Sequence, residues 1–502
     1  MFASSNTSTL LNCIIRIIRS WLLCKAPLFN SVGQSLVFAA YLLINVALTL
    51  QNLDLDVVHN WAKRLGWITT CNIAFITFLA LKNTPLAFLS SYSYERLNIL
   101  HQAAGYCTII FTIFHAIFWI WAGAESGSLH IFLELDNIMG IVAGCAMLVI
   151  LFTAGILRHF IYEAFYVTHI TMFMLVLIAA AMHHPDLSSK STYITIFAAC
   201  IWFSDRLLRG ARTLWYSMSN RATIHALPLG GVRIIMRRTP WRAVPGSHVF
   251  LWIPKARASE THPFTIVSTN PLELVVSPHD GFTRDLSSLA SSIPGISLRA
   301  SCDGPYGTLP NFALFNHLVL LAGGSGATFT FGVALNLIRK MTGVRMRLVI
   351  HFIWVVRDSE MQSWFEKELA ELSACPAMNL SIYVTGAGNT TTNPKDTKED
   401  SDATITQAQN LENLNTDPEK LEPDTHSPST SESAQSTLPV ILGRPDINAI
   451  VRSIVFGTEE QERTIVAACG PNGLMRDTRA VVGDLLVTSG RSVELHCEQF
   501  GW

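Results

Sequence analysis

Six apolar stretches in the first 210 positions constrain this chain more than any other feature, because each is close to the ~20 residues a helix needs to cross a bilayer. They run roughly over 32–52, 66–86, 98–122, 137–157, 161–182 and 192–209, joined by short polar loops. Basic residues sort to their ends. Arg16, Arg19, Lys25, Lys82, Arg96, Arg158, Arg206, Arg209 and Arg212 fall on one side, and Lys63, Arg64 and Lys190 on the other. Excess positive charge marks the cytoplasmic side, so the N-terminus and everything beyond residue 212 are expected in the cytosol. The segment 10–24 is short for a span and carries Arg16 and Arg19. It is expected to lie in the interface as an amphipathic helix, without the small-residue site of a cleaved signal.

Composition narrows the classes further. The 502 residues are half apolar, only 15% charged and carry a net charge of −1, which leaves no electrostatic footprint for nucleic acid. The ten cysteines are scattered and contain no Cys-x-x-Cys pair, so neither a disulfide framework nor a structural zinc site is expected.

The third stretch carries His101 and His115 and the fifth carries His169 and His183, each pair 14 residues apart. Fourteen residues return a helix to within ~40° of the same face, about 21 Å further along. One antiparallel stretch separates the two, so they run in the same direction. Packed side by side, they set His101 against His169 near the cytosol and His115 against His183 near the far side. Two imidazoles facing each other across a bundle are natural axial ligands for haem iron. A lone intramembrane histidine more often serves a helix–helix hydrogen bond, and His248 and His262 share the same spacing by accident. Two equal pairs on helices of matching direction, in a medium where polar groups are costly, point to two haems. His184 rivals His183 as the fourth ligand, but it stands about 100° round the helix and precedes Pro185.

After Arg206–Arg212 the texture changes to short alternating segments with Gly/Pro turns. Ala222–Leu227, Val232–Met236 and His248–Ile253 read as strands of a small antiparallel barrel. His262, Pro263, Phe264 and Thr265 place a ring and a hydroxyl where an isoalloxazine could be held. Gly281, Phe282, Thr283 and Arg284 offer a turn amide, a hydroxyl and a cation suited to a pyrophosphate. Either run alone is also ordinary turn chemistry. From His317 the pattern becomes strand, glycine turn and helix: Leu318–Leu321, then Gly323, Gly324, Gly326 and Thr328, then Phe329–Arg339. Such a turn lets backbone amides approach a phosphate. Leu348–Val356 ends at Arg357, where a cation could reach a 2′-phosphate, and Thr464–Ala468 runs into Cys469, Gly470 and Pro471. Strands alternating with helices predict a parallel sheet with its ligand over the strands' C-terminal ends. Residues 388–439, rich in Ser, Thr, Asn, Asp and Glu, read as a disordered insertion.

In combination and order, these features make the chain resemble the fungal ferric-chelate reductases, relatives of the NADPH oxidases. The residues that carry the resemblance are Tyr94-Glu95-Arg96-Leu97-Asn98, the paired histidines, His262-Pro263-Phe264-Thr265, Asp303-Gly304-Pro305-Tyr306-Gly307, the Gly323–Thr328 turn, Cys469-Gly470-Pro471 and Glu498-Gln499-Phe500-Gly501-Trp502. It covers nearly everything from Gly33 to Trp502 outside the insertion. It implies a six-helix transmembrane haem-binding bundle over 32–212, with 1–31 expected as a cytosolic segment, and the long extracellular leader of the family is expected to be missing. A ferredoxin-reductase-like unit follows, made of an antiparallel β-barrel FAD domain over 213–312 and an α/β NADPH domain over 313–502. It also implies two b-type haems, the inner on His101 and His169 and the outer on His115 and His183. His262, Pro263, Phe264 and Thr265 would line FAD, Gly323, Gly324, Gly326 and Thr328 would cradle NADPH, Cys469 would lie near the nicotinamide, and Trp502 would cover the flavin.

The resemblance further implies a plasma-membrane enzyme that carries electrons outward to ferric chelates or cupric ion, alongside an iron or copper permease. Two other outcomes share the wiring: a superoxide-producing oxidase, and a haem-binding scaffold without turnover. One departure stands out. The run His101-Gln102-Ala103-Ala104-Gly105-Tyr106 lacks two cations that the family often places there. The loops expected outside carry Asp54, Asp56, Glu125, Glu134, Asp136 and Asp186, acidic groups that could draw in metal cations.

Overall fold

The computed structural model describes residues 14–26, 29, 31–90, 94–183, 190–341, 348–386 and 440–498. The apolar half folds into six long helices: α1 (Val32–Leu50), α2 (Val58–Ala80), α3 (Tyr94–Glu125), α4 (Leu135–Gly155), α5 (Tyr162–His183) and α6 (Lys190–Ser217). Ser31 caps α1 by accepting from the Gln34 amide, which satisfies one of the donors a helix start leaves open. A polar ladder then ties α1 to α2. Asn72 Nδ2 donates to Asn45 Oδ1 at 2.7 Å, and the Tyr41 hydroxyl donates to Asn72 Oδ1 at 3.0 Å.

Four stretches, Val32–Leu50, Leu97–Glu125, Leu135–His159 and Tyr162–His183, are long and apolar enough to cross a membrane by length and composition. The helices matching the expected spans at 66–86 and 192–209 are not among them. α2 starts at Val58 and so takes in Lys63 and Arg64, and it stops at Ala80, short of the expected end. α6 runs on to Ser217 and carries Asp205, Arg206, Arg209 and Arg212 on its later turns. The domain boundary expected at residue 212 therefore falls inside a helix. Ahead of α1, residues 14–23 are helical, with Ile14, Ile15, Ile17, Ile18 and Trp21 all exposed. On another side this segment meets the far end of the chain, where the Ser20 hydroxyl donates to the Gly483 carbonyl at 2.6 Å.

Beyond α6 lie β1 (Arg221–Ala226), β2 (Val232–Met236), β3 (His248–Trp252), β4 (His262–Thr269), β5 (Leu272–Val276), α7 (Phe282–Ser292), β6 (Ile296–Arg299) and β7 (Ser301–Tyr306). The seven strands form one antiparallel sheet in the order β6-β1-β2-β5-β4-β3-β7. β6 and β7 are its edges, so the expected small antiparallel barrel is an open, half-barrel sheet. Register shifts between His248 and Phe250 and between Ile266 and Ser268 bend its strands, as bulges do. Its core joins Ile224, Ile234, Leu251 and Ile266 to Phe282, Leu286 and Ala290 of α7.

The last third comprises β8 (His317–Gly323), α8 (Ala327–Met341), β9 (Val349–Val356), α9 (Glu366–Ser373), β10 (Met378–Val384), β11 (Val440–Leu442), α10 (Ile447–Gly457), β12 (Arg463–Cys469), α11 (Asn472–Thr488) and β13 (Ser492–Glu498). The parallel sheet runs β11-β10-β9-β8-β12-β13. One face packs Phe329, Phe331 and Phe365, and the other packs Val451, Val482 and Leu485. A sheet buried on both faces accounts for its nearly unbroken apolar strands. The segment expected to be a disordered insertion lies outside the described residues. Its flanks, β10 and β11, pair side by side at Ile382 and Val440.

Candidate functional site

The four bundle histidines meet as two pairs. The His101 and His169 rings have centroids 6.4 Å apart, and those of His115 and His183 are 6.3 Å apart. A metal–imidazole bond is about 2 Å long and a ring nitrogen lies about 1.1 Å from its centroid, so two imidazoles sharing one metal have centroids about 6.2 Å apart. The tautomers fit the same purpose. His101 Nδ1 lies 2.9 Å from the Ile76 carbonyl, His115 Nδ1 2.8 Å from that of Ala62, and His183 Nδ1 2.7 Å from that of Asp136. A carbonyl only accepts, so each Nδ1 carries the hydrogen and each Nε2 is the unprotonated ring nitrogen. His169 Nδ1 is buried without a hydrogen-bond partner among the described residues.

Neighbouring helices make room for the outer rings. A Cβ on Gly66 of α2 would stand 2.9 Å from His115 Cε1, and one on Gly140 of α4 would stand 2.7 Å from His183 Cε1. Among the described residues no three His, Cys, Asp or Glu side chains converge on a metal position. Each pair could hold a metal ion only together with donors from elsewhere, such as the nitrogens of a porphyrin. His184 lies outside the described residues.

Aromatic rings extend this column at both ends. Toward the sheet domains, Phe165 lies 5.3 Å from His169 and Tyr162 lies 5.8 Å from Phe165. Beside them the Glu163 carboxylate approaches the place a Gly281 Cβ would occupy, at 3.8 Å. Toward the other end, Trp119 lies 6.3 Å from His115 and His59 lies 5.2 Å from Trp119. His59 then lines an open cavity of about 350 Å³ with Asp56, Glu125 and Ser126. Asp54 lines a different cavity, beside Lys63 and Arg64.

In the antiparallel sheet, β4 opens on His262, whose ring stacks on Phe282 at 4.6 Å and whose Nε2 lies 3.0 Å from Glu260. Phe264 also faces Phe282, at 6.1 Å, and Thr265 is buried. Pro263 follows His262 on the same strand, so the run and the Gly281–Phe282 turn come together. Gly281 adopts φ +75° at the start of α7, a conformation suited to glycine. The Thr283 hydroxyl is engaged with the backbone of His279, and Arg284 pairs with Asp280. The cation beside Gly281 is instead Arg257, held by Glu260 and Asp285. It belongs to no run that stands out in the sequence. Burial opposes the charge of Glu260, but hydrogen bonds from Arg257 and His262 outweigh it and hold the carboxyl below its usual range.

Asp303 and Tyr306 of β7 fasten this sheet to the bundle. Arg209 donates to Asp303 at 2.7 Å, Arg212 pairs with it at 3.0 Å, and the Tyr306 hydroxyl donates to it at 2.8 Å. Arg212 also donates to Asn83, which in turn donates to Asp205.

In the parallel sheet the expected nucleotide residues gather at the C-terminal ends of adjacent strands β8, β9 and β12. Gly324 adopts φ +55°, its carbonyl accepts from the Trp354 indole at 3.1 Å, and Thr328 donates to the Ser325 carbonyl. Gly323 faces Pro471, where a Cβ would come to 2.6 Å, and Gly470 abuts Gly323 in the same way. A Cβ on Gly326 would overlap the Cys469 carbonyl. Arg357 follows β9, and its carbonyl accepts from the Gly386 amide. Cys469 is buried, and burial, then Glu498 and Cys497, push its thiol above the usual range. Trp502 lies outside the described residues.

Three family profiles match in tandem: ferric reductase like transmembrane component over 65–180, FAD-binding domain over 216–309, and ferric reductase NAD binding domain over 315–483. In sequence and in the order of these profiles the chain is similar to the fungal ferric reductases. A probable cell surface ferric reductase of Aspergillus oryzae is 28% identical over 340 residues, 61% of this chain and 45% of that one. Ferric/cupric reductase transmembrane component 2 of Schizosaccharomyces pombe is 26% identical over 62% of this chain and 64% of its own. Ferric reductase transmembrane component 1 of the same yeast is 24% identical over 84% and 78%. The chain thus spans less than two thirds of the length of the first two relatives.

Proposed function

We propose that this ferric reductase relative moves electrons from NADPH through FAD and two b-type haems to a ferric or cupric acceptor across the membrane. The observation that carries the reading is the pair of histidine pairs at iron-sharing separation, stacked between the nucleotide-binding domains and an acidic cavity at the other end. Bound FAD would convert a two-electron hydride donor into single electrons, and bound haems would carry these one at a time.

The chain's own residues supply position and insulation. His101 and His169 would hold the inner haem and His115 and His183 the outer. His262, Pro263, Phe264, Thr265, Gly281 and Phe282 would shape the flavin site, with Arg257 as its cation. Gly323, Gly324, Gly326 and Thr328 would admit the nucleotide phosphates, Arg357 would select a 2′-phosphate, and Cys469, Gly470 and Pro471 would border the nicotinamide. At the far end, Asp56, His59 and Glu125 would meet the metal. Two carboxylates and an imidazole favour a cationic, weakly chelated ion over an anionic chelate.

Orientation has support in the contact between Ser20 and Gly483. The N-terminal segment and the nucleotide domain would then share one side, in keeping with an even number of crossings between them. A plasma-membrane location and a permease that accepts the reduced metal belong to the same proposal.

The test is spectral and then catalytic. NADPH added to the purified protein with FAD should reduce two low-spin haems, and cupric or ferric acceptor should reoxidise them. Haems that never reduce would sink the wiring, and metal reduction abolished by superoxide dismutase would make oxygen the acceptor instead.

A further inference from the structure

Three of the four bundle histidines are oriented by a helix carbonyl, and the acceptors keep step with them. Ile76 and Ala62 stand 14 residues apart on α2, as His101 and His115 do on α3. On α4, Asp136 is the acceptor for His183. By the same antiparallel step the residue of α4 that corresponds to His169 is Ile150, fourteen residues further along. A helix carbonyl has two lone pairs. One takes the amide four residues on, and the second is open to a side chain. At Ile150 the second is taken by the hydroxyl of Thr153, whose Oγ1 lies 3.1 Å from the carbonyl oxygen. Thr153 is itself buried. Serine and threonine hydroxyls commonly turn back on their own helix in this way. His169 Nδ1 is left buried without a hydrogen-bond partner among the described residues.

We infer that Thr153 is a positioning residue that withholds the Ile150 carbonyl from His169 and thereby makes the two iron sites unequal. The inference rests on the haem reading above. A ring whose Nδ1–H donates to a carbonyl is a stronger base toward the metal and favours ferric iron. Both rings of the outer pair have that bond, but only one ring of the inner pair does. This difference raises the midpoint of the inner haem relative to what a fully bonded pair would give. It makes the haem facing the flavin the readier acceptor, and it leaves His169 held in place by packing and iron alone.

The test uses the full-length protein loaded with both haems, titrated potentiometrically and examined by low-temperature EPR. Thr153→Val and Thr153→Ser are compared, each also in a His183→Ala background where the surviving bis-histidine signal is the inner haem's. Thr153→Val frees the carbonyl and should move the inner midpoint to more negative potential and shift its g values, with the outer haem unmoved. Thr153→Ser keeps the hydroxyl and should match the unmodified protein. An inner midpoint unchanged in Thr153→Val, or moved as far by Thr153→Ser, overturns the inference. Should Thr153→Val not fold, electron–nuclear double resonance on the unmodified protein decides: three strongly hydrogen-bonded Nδ1 protons and one weak one are expected, and four alike would overturn it. A preparation that takes up no haem overturns the underlying reading instead, and this inference with it.

Discussion

At the scale of single residues, the outer histidine pair depends on hydrogens where any other residue has carbon. Gly140→Ala would press a methyl into the His183 ring, and Gly66→Ala would do the same to His115. Each should cost the protein about half its haem absorbance while the inner haem stays, as a pyridine haemochrome assay would read. Inner-haem loss to the same extent would mean that general packing had failed. Cys469 is a second case. Its raised thiol pKa means that the proton stays on through neutral pH and leaves only above the ordinary thiol range. Since the thiolate is the nucleophile, iodoacetamide should label exposed Cys24 well before Cys469 at pH 8, and the gap should narrow only at strongly alkaline pH. Peptide mass spectrometry checks this, and equal labelling at pH 8 would remove the buried, protonated thiol from the account. The histidines were legible at this scale because helical periodicity fixes which residues share a face. At Thr283 and Arg284 the sequence does not separate a ligand contact from a local one. A hydroxyl and a cation at a turn bond their own backbone and neighbours as readily as a phosphate, and the short-range competitors, His279 and Asp280, sit four residues before them.

Between elements, the decisive bond joins α6 to β7. Asp303, almost wholly buried, neutralises Arg209 and Arg212 together and receives the Tyr306 hydroxyl. Burial, then the charge of Asp303, push the Tyr306 phenol up, so it stays protonated and keeps donating across the ordinary pH range. Asp303→Asn leaves two arginines facing a neutral amide, a change worth roughly 3 kcal/mol when a buried pair is broken. NADPH should still reduce the flavin in that variant, while haem reduction slows at least tenfold in stopped-flow traces. Unslowed haem reduction would mean that the clamp does not set the distance between the domains. The Asp303–Gly307 run stood out in the sequence, and so did the basic exit at Arg206–Arg212. What was not legible was that they are partners, since 94 residues separate Arg209 from Asp303 and no local periodicity reports so long a contact. The helix ends were blurred for a similar reason. Hydropathy marks where a segment is apolar, but α2 begins at Val58 and carries Lys63 and Arg64 inside its helix. One of these, Arg64, bonds the carbonyls of Leu48 and Gln51 at the end of α1.

Across the whole molecule, the three-part order was readable from texture alone: apolar spans, then alternating strands, then strand–turn–helix units. Closure of the antiparallel sheet was not, because strand patterns fix alternation and leave the pairing of the first and last strands open. Epitope tags at the two ends should be protected together in right-side-out membranes and exposed together once the membrane is permeabilised. Opposite accessibility would require an odd number of crossings and dissolve the proposed direction of flow. The contact behind that prediction also sets a schedule. Ser20 and Gly483 lie 463 residues apart, so at ~5–20 residues per second the ribosome needs roughly half a minute to a minute and a half to produce the second partner after the first. Throughout that interval the isoleucine-rich N-terminal helix exists without its nucleotide domain. Among the described residues, the last helix to be made thus docks onto the earliest one.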